Sequence, residues 1–190
     1  GEQDVAEFDY ERDASGNRTS ADEWIDENKD GNRNAAEERS FTWTYDALNR
    51  LVQETHDADG TGDDYITRFA FDLASNRTTL EKDTGNADPA PGSFTADETI
   101  TYSHDANDRI THEIKDVAGT TAGDTNTVYG YGPSDAETTQ TSKIVREGTT
   151  VGSGTILEDH SFEYDAMGPM VGVTIDKTGS GGGVPTVPYA

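Results

Sequence analysis

Residues 100–116 alternate apolar and polar side chains, with a break in the middle. Ile100, Tyr102 and His104 alternate with Thr101 and Ser103. After Asp105-Ala106-Asn107-Asp108, Ile110, His112 and Ile114 alternate with Thr111, Glu113 and Lys115. A period of two over short runs, split by turn-forming residues, predicts a β-hairpin with one covered face. The same pattern predicts hairpins near 5–20, 41–56, 67–82, 127–146 and 160–176. The turns read Asp13-Ala14-Ser15-Gly16-Asn17, Asp46-Ala47-Leu48-Asn49, Asp72-Leu73-Ala74-Ser75-Asn76 and Asp165-Ala166-Met167-Gly168. An Asp at the first position accepts hydrogen bonds from its own turn, and Gly or Asn near the end tolerates the left-handed conformation.

A beat of aromatic, any residue, aromatic, Asp precedes these turns. It reads Trp43-Thr44-Tyr45-Asp46, Phe69-Ala70-Phe71-Asp72, Tyr102-Ser103-His104-Asp105 and Phe162-Glu163-Tyr164-Asp165. A weaker copy is Tyr10-Glu11-Arg12-Asp13, and a degenerate one is Tyr129-Gly130-Tyr131-Gly132. The steps between the key positions 13, 46, 72, 105, 132 and 165 alternate long and short. The true unit is therefore a pair of repeats, about 59–60 residues long, and a fixed period of this size marks a repeat architecture. The predicted fold is all-β: tandem antiparallel hairpins stacked into a continuous spiralling sheet, one array over 1–190, with the start of a further repeat at 187–190.

An Arg follows four of the turns: Arg18, Arg50, Arg77 and Arg109. Each is expected to pair with a turn Asp of its own hairpin or a neighbour's, as a ladder of turn-locking ion pairs. Pro169 replaces Arg in the last full copy. Short connectors carry Gly-Asp tips at 57–64, 118–124 and 179–183, and long ones are insertions at 20–40, 83–98 and 134–159. The alternation leads to the expectation that odd connectors fall on one edge of the sheet and even ones on the other. Long insertions on one edge are where binding is sought. Within the third, Lys143-Ile144-Val145-Arg146 and Gly154-Thr155-Ile156-Leu157 read as an extra hairpin.

Composition then changes the picture. Leu, Ile, Val and Phe make up only 29 of the 190 residues, and the net charge is −24. Those two values alone point to disorder. Aromatic residues at fixed positions point the other way, because each buries roughly 150–250 Å². The charge argues against nucleic acid or an anionic membrane as partner. Its plain reading is solubility in a salty exterior, and its sharper one attraction for divalent cations. There is no cysteine, which excludes a disulfide scaffold and thiolate metal sites. No stretch approaches the ~20 apolar residues of a membrane span, and no signal peptide is read. Both ends read as though cut from a longer array.

The segments Tyr45-Asp46-Ala47-Leu48-Asn49-Arg50-Leu51, Asp13-Ala14-Ser15-Gly16-Asn17-Arg18-Thr19 and Tyr164-Asp165-Ala166-Met167-Gly168 resemble the YD repeat, also called the Rhs repeat. The resemblance covers nearly the whole chain. It implies a long sheet of stacked hairpins that, in large members, spirals into a hollow shell. Bacterial polymorphic toxins of this type enclose a C-terminal toxin, insecticidal toxin complexes use a similar cocoon, and teneurin-like receptors carry a related barrel outside the cell. Toxin-type members close the shell with a plug bearing a proline-aspartate motif and self-cleaving aspartates; that motif is not read here.

One segment carries site chemistry. Asp26, Asn28, Asp30, Asn32, Asn34 and Glu37 stand at positions 1, 3, 5, 7, 9 and 12 of a twelve-residue loop with Gly31 at position 6. That is the spacing of a calcium loop, where alternate oxygen ligands converge and Gly allows the bend. The loop lies in the inserted segment 21–40. Its flanks, Trp24-Ile25 and Phe41-Thr42-Trp43, are not the helices of an EF-hand, so a bound ion would staple the insertion rather than swing a helix. An acidic, solvated insertion with chance spacing explains the same residues. A second, weaker calcium candidate is Asp57, Asp59, Asp63 and Asp64, which a Gly-Asp hairpin tip explains equally well. His104 and His112 flank one turn, but further zinc ligands are not evident, and His104 reads as the occupant of an aromatic slot. Asn17-Arg18-Thr19 and Asn76-Arg77-Thr78 match the N-glycosylation pattern, yet both coincide with turns.

The expected function is structural and non-catalytic. The chain reads as a segment of a large secreted or cell-surface YD-repeat protein, acting as shell, adhesion or matrix and filament element and stapled by calcium. The expected partners are neighbouring repeats or other copies meeting through open sheet edges, and glycans, with neither nucleic acid nor a membrane span. Alternatives are the wall of a toxin-encapsulating cocoon and a carbohydrate-binding surface.

Overall fold

The structure, a computed structural model, describes residues 6–26, 32, 37–58, 64–85, 94–132, 140–164, 170–177 and 186–188. The strands are β1 (Ala6–Arg12), β2 (Arg18–Ile25), β3 (Glu38–Tyr45), β4 (Leu51–Ala58), β5 (Tyr65–Phe71), β6 (Arg77–Thr84), β7 (Glu98–His104), β8 (Ile110–Val117), β9 (Thr125–Tyr131), β10 (Gln140–Glu147), β11 (Ile156–Tyr164), β12 (Met170–Lys177) and β13 (Thr186–Pro188). Strand order in the sheet follows chain order from β1 to β13. No helix among the described residues is long and apolar enough to cross a membrane.

The alternation read from the sequence is realised strand by strand. Phe41, Trp43 and Tyr45 are half-buried while Thr42 and Thr44 are exposed; Ile100, Tyr102 and His104 are half-buried while Thr101 and Ser103 are exposed. This is the pleat at work: successive side chains leave opposite faces. The alternation fails at the far ends of the strands. Thr55 and His56 are adjacent and both buried, as are Ile66 and Thr67, and Asn126 and Thr127. Trp24 shares a face with exposed Asp22, yet is only 6% exposed.

The contacts divide the chain into two compact units: 1–70 with 80–97, and 71–79 with 98–190. In the first, β1 to β5 pair antiparallel in succession. In the second, β7 to β13 do the same. This topology corrects the expectation about connectors. Every hairpin contributes two strands, so the chain returns to the same side after each one. Within each unit the described Asp turns therefore lie at one end of the strands, and the links from each hairpin to the next start from the other. The insertion 134–159 is also largely strand: Lys143–Arg146 belongs to β10, which pairs with β11. Gly154 lies in the turn between them, where an added Cβ would collide with the Glu147 carbonyl oxygen.

Four turns share one backbone. The amide of Asp13 donates to the carbonyl of Asn17, and Asp46, Asp72 and Asp105 donate likewise to Arg50, Asn76 and Arg109, all at 2.9–3.0 Å. A second bond closes the inner turn, from Gly16, Asn49, Ser75 and Asp108 back to the Asp carbonyl. These four residues hold positive φ of 89°, 59°, 74° and 60°. A type I turn followed by a left-handed residue is the common three-residue hairpin loop. A ladder irregularity precedes the turns at Arg12, Tyr45 and His104, the mark of the bulge that such loops require. The predicted turn at 165–168 lies outside the described residues.

Candidate functional site

The turn aspartates come first. At Asp46 one carboxylate oxygen accepts the amides of Leu48 and Arg50 at 2.8 and 3.0 Å, and the other accepts Arg50 Nε at 2.7 Å with an ion pair at 2.6 Å. Asp105 repeats this with Asn107 and Arg109, one double repeat further along the chain. The Arg50 amide, followed by its guanidinium, holds the Asp46 carboxyl below the usual range. At Asp105 the Arg109 side chain is the leading cause of the same shift.

The other two turns differ, which corrects the expected ion-pair ladder. In them an Asn occupies the pairing position. Asn17 Nδ2 donates to Asp13 Oδ2 at 2.9 Å, and Asn76 Nδ2 donates to Asp72 Oδ2 at 3.1 Å. The same amides reach forward to the next turn: Asn17 to Asn49 Oδ1 at 2.9 Å, and Asn76 to Asp108 Oδ1 at 2.7 Å. Both links join a turn to the one that follows it, so hairpins are clipped in pairs, as the doubled period requires. Arg18 and Arg77, set just after these Asn residues, turn to rings instead. Arg18 lies 4.2 Å from the Tyr10 ring centre and 5.5 Å from that of Trp43, and Arg77 lies 4.8 Å from Tyr102. Both glycosylation patterns thus place their Asn in a structural clip.

Rings continue across the first unit. Phe41 stacks on Trp43 at 5.7 Å, His56 packs against Phe41 at 4.6 Å and against Tyr65 at 5.0 Å, and Lys82 sits 4.9 Å from the Tyr65 centre. Register explains the row, since Phe41 lies opposite His56, and His56 opposite Tyr65. Glu54 fastens it. One oxygen accepts Trp43 Nε1–H at 2.8 Å and the other accepts the Tyr65 hydroxyl at 2.9 Å. Burial first, then Glu54, pushes the Tyr65 phenol up to about 12. In the second unit, Glu113 is the counterpart of Glu54 one double repeat on. It accepts the Tyr129 hydroxyl at 3.4 Å, and the Tyr129 phenol is raised to about 12 by burial and then by Glu113. The tyrosine that ends the aromatic beat has its own task. Tyr45, Tyr131 and Tyr164 donate their hydroxyls to the carbonyls of Arg18, Ile110 and Gln140 at 2.7–2.9 Å, each on a strand earlier in the chain.

The calcium-loop residues are placed as follows. Asp26 and Glu37, the first and last of the set, are 6% and 7% exposed at the base of the insertion between β2 and β3. Trp24 Nε1–H points to Glu37 Oε2 at 3.4 Å. Asn32 is exposed. Asn28, Asp30 and Asn34 lie outside the described residues, and no group of three acids or histidines suited to a metal occurs among the described ones. In the second candidate, Asp59 and Asp63 also lie outside. Asp57 is exposed, and Asp64 is engaged in closing its connector. Its Oδ1 accepts the Ala58 amide at 2.9 Å, as Asp124 Oδ1 accepts that of Val117 at 2.9 Å in the equivalent connector of the second unit. His112 lies opposite Ser103 and contacts Thr111 Oγ1, so His104 and His112 do not face each other.

Sequence reading missed Glu54, Glu113 and Asn126. Asn126 is fully buried, donates to the carbonyls of Gly148 and Ser153 at 2.8 and 3.1 Å, and accepts the Gly152 amide at 3.1 Å. It thereby holds the loop between β10 and β11, which with residues 121–125 and Leu157 borders a cleft of about 450 Å³. The placement of Glu54 and Glu113 one double repeat apart was a usable signal; Asn126 left none, because Ile66 occupies the corresponding position.

No protein-family model and no curated protein matches the chain. Solved structures do. The crystal structure of TcdB2-TccC3-TEV matches 92% of this chain with a TM-score of 0.62 at 18% identity. That of TcdB2-TccC3 matches 87% with a TM-score of 0.59 at 18% identity. The Photorhabdus luminescens Tc holotoxin pore, with a TccC3 mutation, matches 85% with a TM-score of 0.57 at 21% identity. The match spans only 7–8% of the length of those chains. At this identity the likeness establishes the fold: antiparallel strands in chain order, similar to a small stretch of much larger toxin-complex chains.

Proposed function

We propose that this chain is a structural, non-catalytic wall segment of a large YD-repeat shell protein, secreted or exposed at the cell surface. The observation that carries the reading is the match of 92% of the chain to 8% of a toxin-complex chain, at a TM-score of 0.62. A fold that repeats by the hairpin pair, with turn Asn side chains clipping one hairpin to the next, suits a wall. Among shell, adhesion and filament roles, the neighbours in Tc toxin complexes favour a toxin-enclosing cocoon. Negative-stain microscopy of the longest polypeptide carrying this segment tests the reading. A closed hollow particle is expected, and an extended rod or filament would overturn it.

Calcium belongs to the same proposal as a staple of the insertion between β2 and β3. Two observations support it: the six-oxygen spacing of Asp26, Asn28, Asp30, Asn32, Asn34 and Glu37, and the burial of Asp26 and Glu37 at its base. Trp24, in contact with Glu37, is the reporter. Added calcium is expected to raise the unfolding midpoint and shift tryptophan emission, with Asp30→Ala removing both responses. Identical melting in calcium and in chelator would refute the staple while leaving the shell reading untouched.

A further inference from the structure

The chain carries 38 Asp and Glu against 14 Lys and Arg. Its few cations have set partners, and several of those partners are rings rather than acids. Arg18, Arg68, Arg77 and Lys82 lie over the rings of Tyr10, Phe94, Tyr102 and Tyr65. Arg50 and Arg109 serve turn aspartates, and Lys115 and Lys177 pair with Glu98 and Glu158. Acids are therefore left facing acids. Asp9 lies directly opposite Asp22 in the β1–β2 ladder, and Asp159 directly opposite Asp176 in the β11–β12 ladder. None of these four carboxylates has a hydrogen bond or ion pair among the described residues. Directly opposed positions bring Cβ atoms to about 4.5–5.5 Å, and like charges there destabilise the pairing.

We infer that folding of this chain is gated by ionic strength: the sheet forms fully only when dissolved monovalent cations screen its opposed aspartates and its net charge. The physics sets the scale. The screening length is about 30 Å at 0.01 M salt, longer than several strands side by side, and about 3 Å at 1 M, shorter than the separation within one Asp pair. At low salt each acid thus repels many others, and self-repulsion of a chain with large net charge works against its compact state. At molar salt both the pairwise and the summed terms are largely screened, while the aromatic row and the turn clips persist because they act at contact distance.

The test is thermal unfolding of the 190-residue chain, followed by far-ultraviolet circular dichroism, in KCl from about 0.01 M to about 1 M. Chelator is present throughout, so that calcium plays no part. The midpoint is expected to rise by roughly 10 °C or more, the equivalent of several kcal/mol for a chain of this size. The double variant Asp9→Asn with Asp159→Asn should melt higher at low salt and show a shallower salt dependence. The Asp9→Thr and Asp159→Thr pair, which suits strands better, gives the same reading if the first variant folds poorly. A flat or falling midpoint would overturn the inference, and so would variants that keep the full slope of the parent.

Discussion

Glu54 and Glu113 provide an internal comparison, because the same residue stands at equivalent places in two double repeats with different donors. Glu54 joins Trp43 Nε1 and the Tyr65 hydroxyl through separate oxygens at 2.8 and 2.9 Å. A Gln at position 54 can keep its oxygen on Trp43 and turn its N–H to the Tyr65 hydroxyl, which then accepts, so both contacts persist only as neutral hydrogen bonds, each about 1 kcal/mol weaker than the charged form. A hydrogen bond to a charged group contributes about 1.5–3 kcal/mol, and the half-buried setting argues for the lower end. Glu54→Gln should therefore cost about 1.5–2 kcal/mol, a fall of about 3–8 °C in the melting midpoint at this chain length. At Glu113 the bond to Tyr129 is long, 3.4 Å, and Tyr102 replaces the tryptophan. Glu113→Gln should cost under about 1 kcal/mol. Equilibrium urea unfolding measures both. Repeating Glu54→Gln in a Trp43→Phe background isolates the indole bond, and the cost should fall by about half. Equal losses at both glutamates, or a loss of less than about 0.5 kcal/mol at Glu54, would refute the view that this carboxylate fastens the aromatic row.

Two further outcomes concern the turns. A Cβ at Gly16 meets nothing within 4 Å, so Gly16→Ala tests backbone conformation alone. The left-handed state costs about 1–2 kcal/mol, partly offset by a stiffer unfolded chain, so urea unfolding should show a net loss of about 0.5–1 kcal/mol. Acid is the second probe. Asp13, Asp46, Asp72 and Asp105 all have carboxyls held below the usual carboxylate range, and Glu158 is lowered to about 2 by Lys177 and then His160. Groups depressed on folding contribute stability that is complete above their unfolded values and lost as pH falls through the folded ones. In molar KCl, the melting midpoint should hold from neutral pH to about 5 and then fall steadily toward about 2. A midpoint that rises over that lower range would contradict the role given to the turn carboxylates.

Much of this fold is local, and for that reason it was legible in the sequence. The alternation of Ile100, Tyr102 and His104 with Thr101 and Ser103 specifies a strand and its covered face without reference to any other segment. The Asp-to-Gly or Asp-to-Asn turns close within a few positions, so their chemistry sits in one short window. The alternating long and short steps announced that hairpins come in pairs. What escaped depends on partners distant in sequence. Arg18 and Arg50 both follow a turn, yet one lies over rings and the other binds Asp46, because Asn17 already occupies the carboxylate in the first hairpin. Trp24 sits on the polar face and is buried there with its indole N–H toward Glu37, a contact that alternation does not describe.

The sequence by itself determined the period, the strands, the turn residues and the charge, since each rests on neighbours along the chain or on simple addition. Only the tertiary structure decided which acids face one another, which cations go to rings and which glutamate fastens the aromatic row. The register of the sheet makes those choices: a shift of one residue in pairing would send every side chain to the other face.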